Sequence, residues 1–155
     1  MSHGPRYRER NLIQLLIIAG SGIFLFLGSL HGLLTFRDLG DPRVFTPRDA
    51  GLRTAMQQAT VALDPKINLW KAWMGFNLSH SLGIVMFGGA FLYLGIFHPA
   101  LFARSLLLQI CSIAISAAYL ALSLEFWFSK PAIGSAIAMA CFILATAISH
   151  AQAGP

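Results

Sequence analysis

Four long apolar segments with almost no charge constrain this chain more than any other feature. They cover residues 12–36, 73–97, 101–128 and 132–149. A helix needs roughly 20 residues to cross about 30 Å of hydrocarbon, so each segment can span a membrane. Hydrocarbon offers the backbone no hydrogen bonds, and continuous apolar runs lack the alternation of barrel strands. The segments therefore predict an all-α, polytopic membrane protein.

Two of the three connections between these segments are too short for anything except tight turns. Residues 98–100 and 129–131 each contain a proline, which stops or starts a helix. Helices joined by tight turns are antiparallel neighbours. We therefore predict an antiparallel four-transmembrane-helix bundle that forms a single membrane domain over residues 1–155.

The first connection, residues 37–72, is polar and long enough to hold an element of its own. Within it, Thr46 can serve as a helix N-cap, with Pro47 at the first helical position and Asp49 at the third. The apolar residues that then recur at helical spacing are Leu52, Ala55, Met56 and Ala59. This pattern predicts a short amphipathic surface helix at about residues 47–60.

Composition and charge indicate which kind of partner the chain has, a nucleic acid or a lipid bilayer. The chain is 56% hydrophobic and only 11% charged, and its net charge of +5 is scattered around apolar blocks instead of lining one polar face. A nucleic-acid partner is therefore not expected, whereas a lipid bilayer with anionic head groups is. Arg6, Arg8 and Arg10 precede the first segment, which predicts that both termini are cytoplasmic. The Lys and Arg residues of the first loop favour the opposite orientation, but acidic residues dilute them.

Polar and ionisable side chains inside spanning helices are costly, so they usually face the bundle interior and mark a functional site. The candidates for a ligand or proton site are His31, Asn77, His80, Ser81 and Glu125. Antiparallel connections bring both histidines and Glu125 to one side of the membrane, at a common depth. The interface on that side is marked by Trp70, Trp73 and Trp127.

The residues around the two histidines are small, and they are predicted to support the site. They are Gly28, Gly32, Thr35 and Ser79. At 100° per residue, the first three share an arc with His31, where glycine allows a helix or a flat ligand to come close. Asn77 and Ser81 share an arc with His80. The two histidine faces are therefore expected to meet.

Three interpretations of this polar layer remain open. In the first, the side chains only hydrogen-bond to one another and to backbone carbonyls. In the second, His31 and His80 bind haem b or a divalent metal ion, with Glu125 as a further ligand for Zn²⁺. In the third, the layer binds a lipid- or quinone-like molecule or relays protons between His80 and Glu125.

An alternative of another class is an accessory or structural subunit of a larger membrane complex. Gly75, Ser79 and Gly83 form a small-residue ridge, which favours close packing against other membrane subunits or a second copy of the chain. The chain is also short and lacks familiar catalytic motifs, so the sequence leaves open whether it is an enzyme.

Residues 70–83 contain the pattern W-x-x-W-x-G-F-N-x-S-H-S-x-G, and Gly28 and His31 form a Gly-x-x-His near the end of the first segment. Together with Pro42-Arg43 and Thr46-Pro47 in the loop, this resembles a family of small, uncharacterised bacterial four-helix membrane proteins. The resemblance implies a four-helix fold in the bacterial inner membrane. It implies no activity.

Overall fold

The protein is predominantly helical in a computed structural model that describes residues 5–152. Over these residues the elements are α1 (Pro5–Gly40), α2 (Ala50–Gln58), β1 (Thr60–Val61), β2 (Asp64–Asn68), α3 (Leu69–Phe97), α4 (Pro99–Arg104), α5 (Leu106–Phe126) and α6 (Ser129–Gln152). Helices α1, α3, α5 and α6 are long and apolar enough to cross a membrane. The all-α class and the four candidate spans thus agree with the apolar pattern. The side chains of Arg6 and Arg8 lie outside the described part.

Three of the spans begin earlier than their apolar segments predict, and α1 begins at Pro5 rather than at residue 12. Helix α3 begins at Leu69 rather than at residue 73, because the side chain of Asn68 accepts a 2.8 Å hydrogen bond from the Lys71 backbone N–H in its first turn. Helix α6 begins at Ser129, so the predicted turn at residues 129–131 is wrong. Its proline lies in the first turn, where a missing N–H leaves no hydrogen bond unmade.

The third predicted span, residues 101–128, is not one helix. Ser105 adopts an extended conformation between α4 and α5, and its hydroxyl accepts a backbone N–H bond in the first turn of α5. The Gln109 side chain then donates to the carbonyls of Phe102 and Ala103, at 3.1 and 3.0 Å. These bonds satisfy carbonyls at the end of α4. The side chains of Ser105 and Gln109 therefore stabilise the break. Neither is charged, so hydropathy alone predicts one continuous helix over this segment.

The first loop contains more structure than the sequence predicts. Helix α2 is capped by Asp49, whose carboxylate accepts a 2.7 Å bond from the Gly51 N–H, so the predicted N-cap at Thr46 is wrong. Strands β1 and β2 then pair as an antiparallel hairpin, which the sequence reading missed. At the hairpin turn, Leu63 is 94% exposed.

The chain forms two compact units. Unit 1 comprises Met1–Leu27 and Val85–Pro155, and unit 2 comprises Gly28–Ile84. The core of unit 1 contains contacting aromatic rings, among them Phe24, Phe87, Phe91, Phe102 and Phe142. Glycine brings backbones close there: a Cβ on Gly88 would lie 2.5 Å from the backbone nitrogen of Leu25. Unit 1 is therefore held by close steric fit.

Candidate functional site

The two histidines of unit 2 face each other across α1 and α3. The ring centroids of His31 and His80 are 5.5 Å apart, and the rings are close to perpendicular. Next to them, a Cβ on Gly32 would lie 3.2 Å from the Cβ of Ser81, which shows that the helices approach closely. The histidine-bearing faces meet, as the spacing predicts.

Asn77 is a buried amide beside the two imidazoles. Its side chain is fully buried, and its Nδ2 donates to the Trp73 carbonyl at 2.8 Å. The same side chain lies beside the His31 imidazole, and its buried Oδ1 has no hydrogen-bond partner among the described residues. A buried amide oxygen without a partner is costly, so it can accept a bond from a ligand or from a neighbouring imidazole.

The hydroxyl groups of the site form hydrogen bonds within their own helices. Ser81 is buried and donates to the Asn77 carbonyl at 2.8 Å, and Thr35 is fully buried and donates to the His31 carbonyl at 2.8 Å. Both bonds run four residues back within a single helix. These two side chains therefore pack around the site without linking its helices through the bonds described.

Aromatic rings line the imidazole pair. The ring of Phe45 lies 4.5 Å from that of His31, and the ring of Phe76 stacks on His80 at 6.0 Å between centroids. Phe45 comes from the loop after α1, and Phe76 from α3. The site thus presents polar nitrogen atoms between flat apolar surfaces, which suits a planar molecule with polar substituents.

Asp38 is a part of the site's surroundings that the sequence reading missed. It lies near the end of α1, is only 1% exposed, and receives a set of hydrogen bonds from the loop. The donors are the backbone N–H groups of Arg43, Val44 and Phe45, at 2.6 to 3.1 Å, and the hydroxyl of Thr46 at 3.4 Å. The available signal was an acid followed by the turn formers Gly40 and Pro42.

The loop is fixed to α3 as well as to α1. The indole Nε1 of Trp73 donates to the Phe45 carbonyl at 2.8 Å. Beside this bond is an open, mainly apolar groove of about 380 Å³. Its lining residues are Val44, Phe45, Thr46, Pro47, Met56 and Trp73. Phe45 therefore contacts His31 on one side and lines the groove.

The other predicted site residues are Gly28, Ser79 and Glu125, which differ in burial. Gly28 is buried on α1, whereas Ser79 is exposed and donates to the Phe76 carbonyl at 2.9 Å. Glu125 belongs to unit 1 and is exposed near the end of α5. Its common depth with the histidines stays a prediction.

The geometry does not fit a haem held between His31 and His80. Their rings are in direct contact, and the adjacent approach of Gly32 to Ser81 leaves no gap for a macrocycle between the helices. Among the residues that the structure describes, no group of three or more His, Cys, Asp or Glu side chains is placed to hold a metal ion. The two histidines thus have no third ligand of these types there.

Comparison with protein-family models found no match, and comparison with curated proteins and with solved structures found none either. The function is therefore argued from the geometry of unit 2.

Proposed function

We propose that this chain is a membrane protein that binds an amphiphilic, lipid- or quinone-like molecule at the site formed by His31, His80 and Asn77. The observation that carries the proposal is the pairing of two imidazoles over a fully buried asparagine. Imidazole and amide groups supply hydrogen bonds to a carbonyl or hydroxyl head group. The groove beside Phe45 offers apolar surface to the rest of the molecule.

Proton exchange with the bound molecule is the chemistry that such a site supports. Imidazole is the side chain that takes up and releases protons most readily near neutral pH. Two imidazoles in contact provide a short path for a proton between α1 and α3. We propose Glu125 as a further proton carrier of this layer on the basis of its place in the sequence.

Decylubiquinone is a suitable probe, because quinones quench tryptophan fluorescence and Trp73 lines the groove. The full chain in phospholipid nanodiscs is titrated with this quinone. We expect His31→Ala and His80→Ala each to raise the Kd about tenfold, which corresponds to about 1.4 kcal/mol for one lost hydrogen bond. His98→Ala, at an exposed histidine between α3 and α4, is the matched control and should leave the Kd unchanged. Equal affinity in all four proteins would refute the proposal.

A second candidate function is that of an accessory subunit, and the small-residue ridge favours it. Ser79 and Gly83 are exposed on α3, and a Cβ on Gly75 would meet nothing within 4 Å. Such a surface allows another membrane helix to approach closely. If the ridge packs on another subunit, Gly75→Leu should abolish stoichiometric co-purification of that subunit, whereas Leu107→Phe, at an exposed position on α5, should preserve it.

We propose an antiparallel bundle in a bacterial inner membrane, with both termini in the cytoplasm. The support is the set of four apolar helices, together with the arginines before α1. Reporter fusions to the C-terminus test this directly. A cytoplasmic reporter should be active and a periplasmic reporter inactive, and the reverse pattern would overturn the orientation.

A further inference from the structure

Phe45 is the point at which three separate interactions of unit 2 converge. Its N–H donates to the Asp38 carboxylate at 2.6 Å, its carbonyl accepts the Trp73 indole N–H at 2.8 Å, and its ring lies 4.5 Å from the His31 ring. The backbone of this residue is thus held from both sides. Phe45 also lines the groove.

We propose that the Phe45 ring is the gate to the His31 site, and that Asp38 is the positioning residue that holds this gate closed. This inference rests on the proposed function, since a gate matters only when a ligand must reach His31. Phe45 side-chain rotation opens a path from the groove to the imidazole pair. Movement of the backbone requires the Asp38 bonds to break first.

The bonds to Asp38 explain why a loop can hold a gate in one position. One carboxylate accepts three successive backbone N–H groups, from Arg43 to Phe45. Each charge-assisted bond to a buried carboxylate is stronger than a bond between neutral groups. The adjacent carboxylate, Asp41, is exposed and pairs with the Arg43 guanidinium at 2.7 Å, so it does not share this role.

Carbethoxylation of histidine by diethyl pyrocarbonate measures gate opening without any ligand. After modification of the full chain in nanodiscs, denaturation and trypsin digestion yield residues 11–37, in which His31 is the only histidine. His98 serves as the internal reference; its peptide, residues 72–104, also contains His80, so fragmentation of that peptide separates the two sites. The rate at His31 relative to His98 reports access to the site.

We expect Phe45→Ala to raise the relative rate at His31 about tenfold and Asp38→Asn to raise it about fivefold, since each removes an element of local closure. Asp41→Asn, the matched acidic neighbour, should leave the rate within about twofold, as expected for an exposed ion pair. An unchanged rate in Phe45→Ala would overturn the proposal. An equal rise at His98 would also overturn it, because it would indicate general loosening.

A double variant tests whether Asp38 acts through Phe45. In the Phe45→Ala background, Asp38→Asn should add almost nothing to the His31 rate, because residues that act on one element are not additive. A further fivefold rise in the His31 rate in that background would show that Asp38 does not act through Phe45. The decylubiquinone titration is a separate measurement, so loss of quinone binding with a working gate would refute only the proposed ligand.

Discussion

Different interactions stand out within unit 1 and within unit 2. In unit 1, the backbones of Gly88 and Leu25 are in close contact, and buried serines such as Ser116 donate to carbonyls of their own helix. In unit 2, Asp38 and Trp73 bond to backbone groups of the loop that follows α1. Lipid gives helices no hydrophobic reason to associate, so close fit matters most there, whereas a loop needs polar bonds to hold a fixed position.

Gly88 offers the sharpest test of the steric half of this comparison. Gly88→Ala should destabilise the protein by about 3 kcal/mol, because the new Cβ meets the backbone of α1, which cannot give way as a flexible side chain can. Gly89→Ala is the matched control, since a Cβ there meets nothing within 4 Å. Thermal unfolding in detergent, followed by circular dichroism, measures both. Equal melting temperatures would contradict the idea that this contact is tight.

Asp38 offers the corresponding test of the polar half. Asp38→Ala should cost about 2 kcal/mol of local stability, because several buried N–H groups lose their acceptor. The loss should appear in the loop, where trypsin should cut faster after Arg43 and Arg48, while the melting temperature changes less than in Gly88→Ala. Asp41→Ala removes only an exposed ion pair and should leave proteolysis unchanged. Faster cleavage in both variants would contradict a specific role of Asp38 in holding the loop.

The buried serines should give the smallest effect. Ser116→Ala removes a 2.7 Å bond to the Ser112 carbonyl within α5, and should change stability by less than about 0.5 kcal/mol, because that carbonyl keeps a backbone partner. Asn77→Ala is the comparison in unit 2 and should cost about 1 to 3 kcal/mol, since it empties a fully buried position and removes the bond to the Trp73 carbonyl. The same melting experiment ranks the two. A larger loss of stability in Ser116→Ala than in Asn77→Ala would contradict this difference between the units.

The sequence predicts features that depend on length and periodicity. Apolar length is sufficient to find four candidate spans, and a helical arc is sufficient to bring His31 opposite His80. Features that depend on a single polar side chain are not predicted from the sequence. Ser105 breaks a span without any charge or proline at that position, and Asp38 resembles an ordinary acid beside a helix end. Their roles follow from partners that only the folded chain brings near.

The β1–β2 hairpin and the serines of unit 1 illustrate two further limits. The hairpin follows Asp49-capped α2 in a polar stretch with no alternation of apolar residues, so periodicity gave no sign of it. Buried serines such as Ser112 were indistinguishable from small packing residues. Asn77 was recognisable because it shares a helical arc with His80 in an apolar segment, whereas the amide of Gln109 stands without such neighbours and was not singled out.

The length of α1 would couple the loop to a bilayer that the helix crosses. Its 36 residues correspond to about 54 Å of helix, against roughly 30 Å of hydrocarbon. In a membrane the surplus requires the helix to tilt or to project into the head-group layer. Since Asp38 lies at the projecting end, lipid chain length should govern how much water competes for its carboxylate. Bilayer thickness would thereby set how firmly the segment after α1 is anchored.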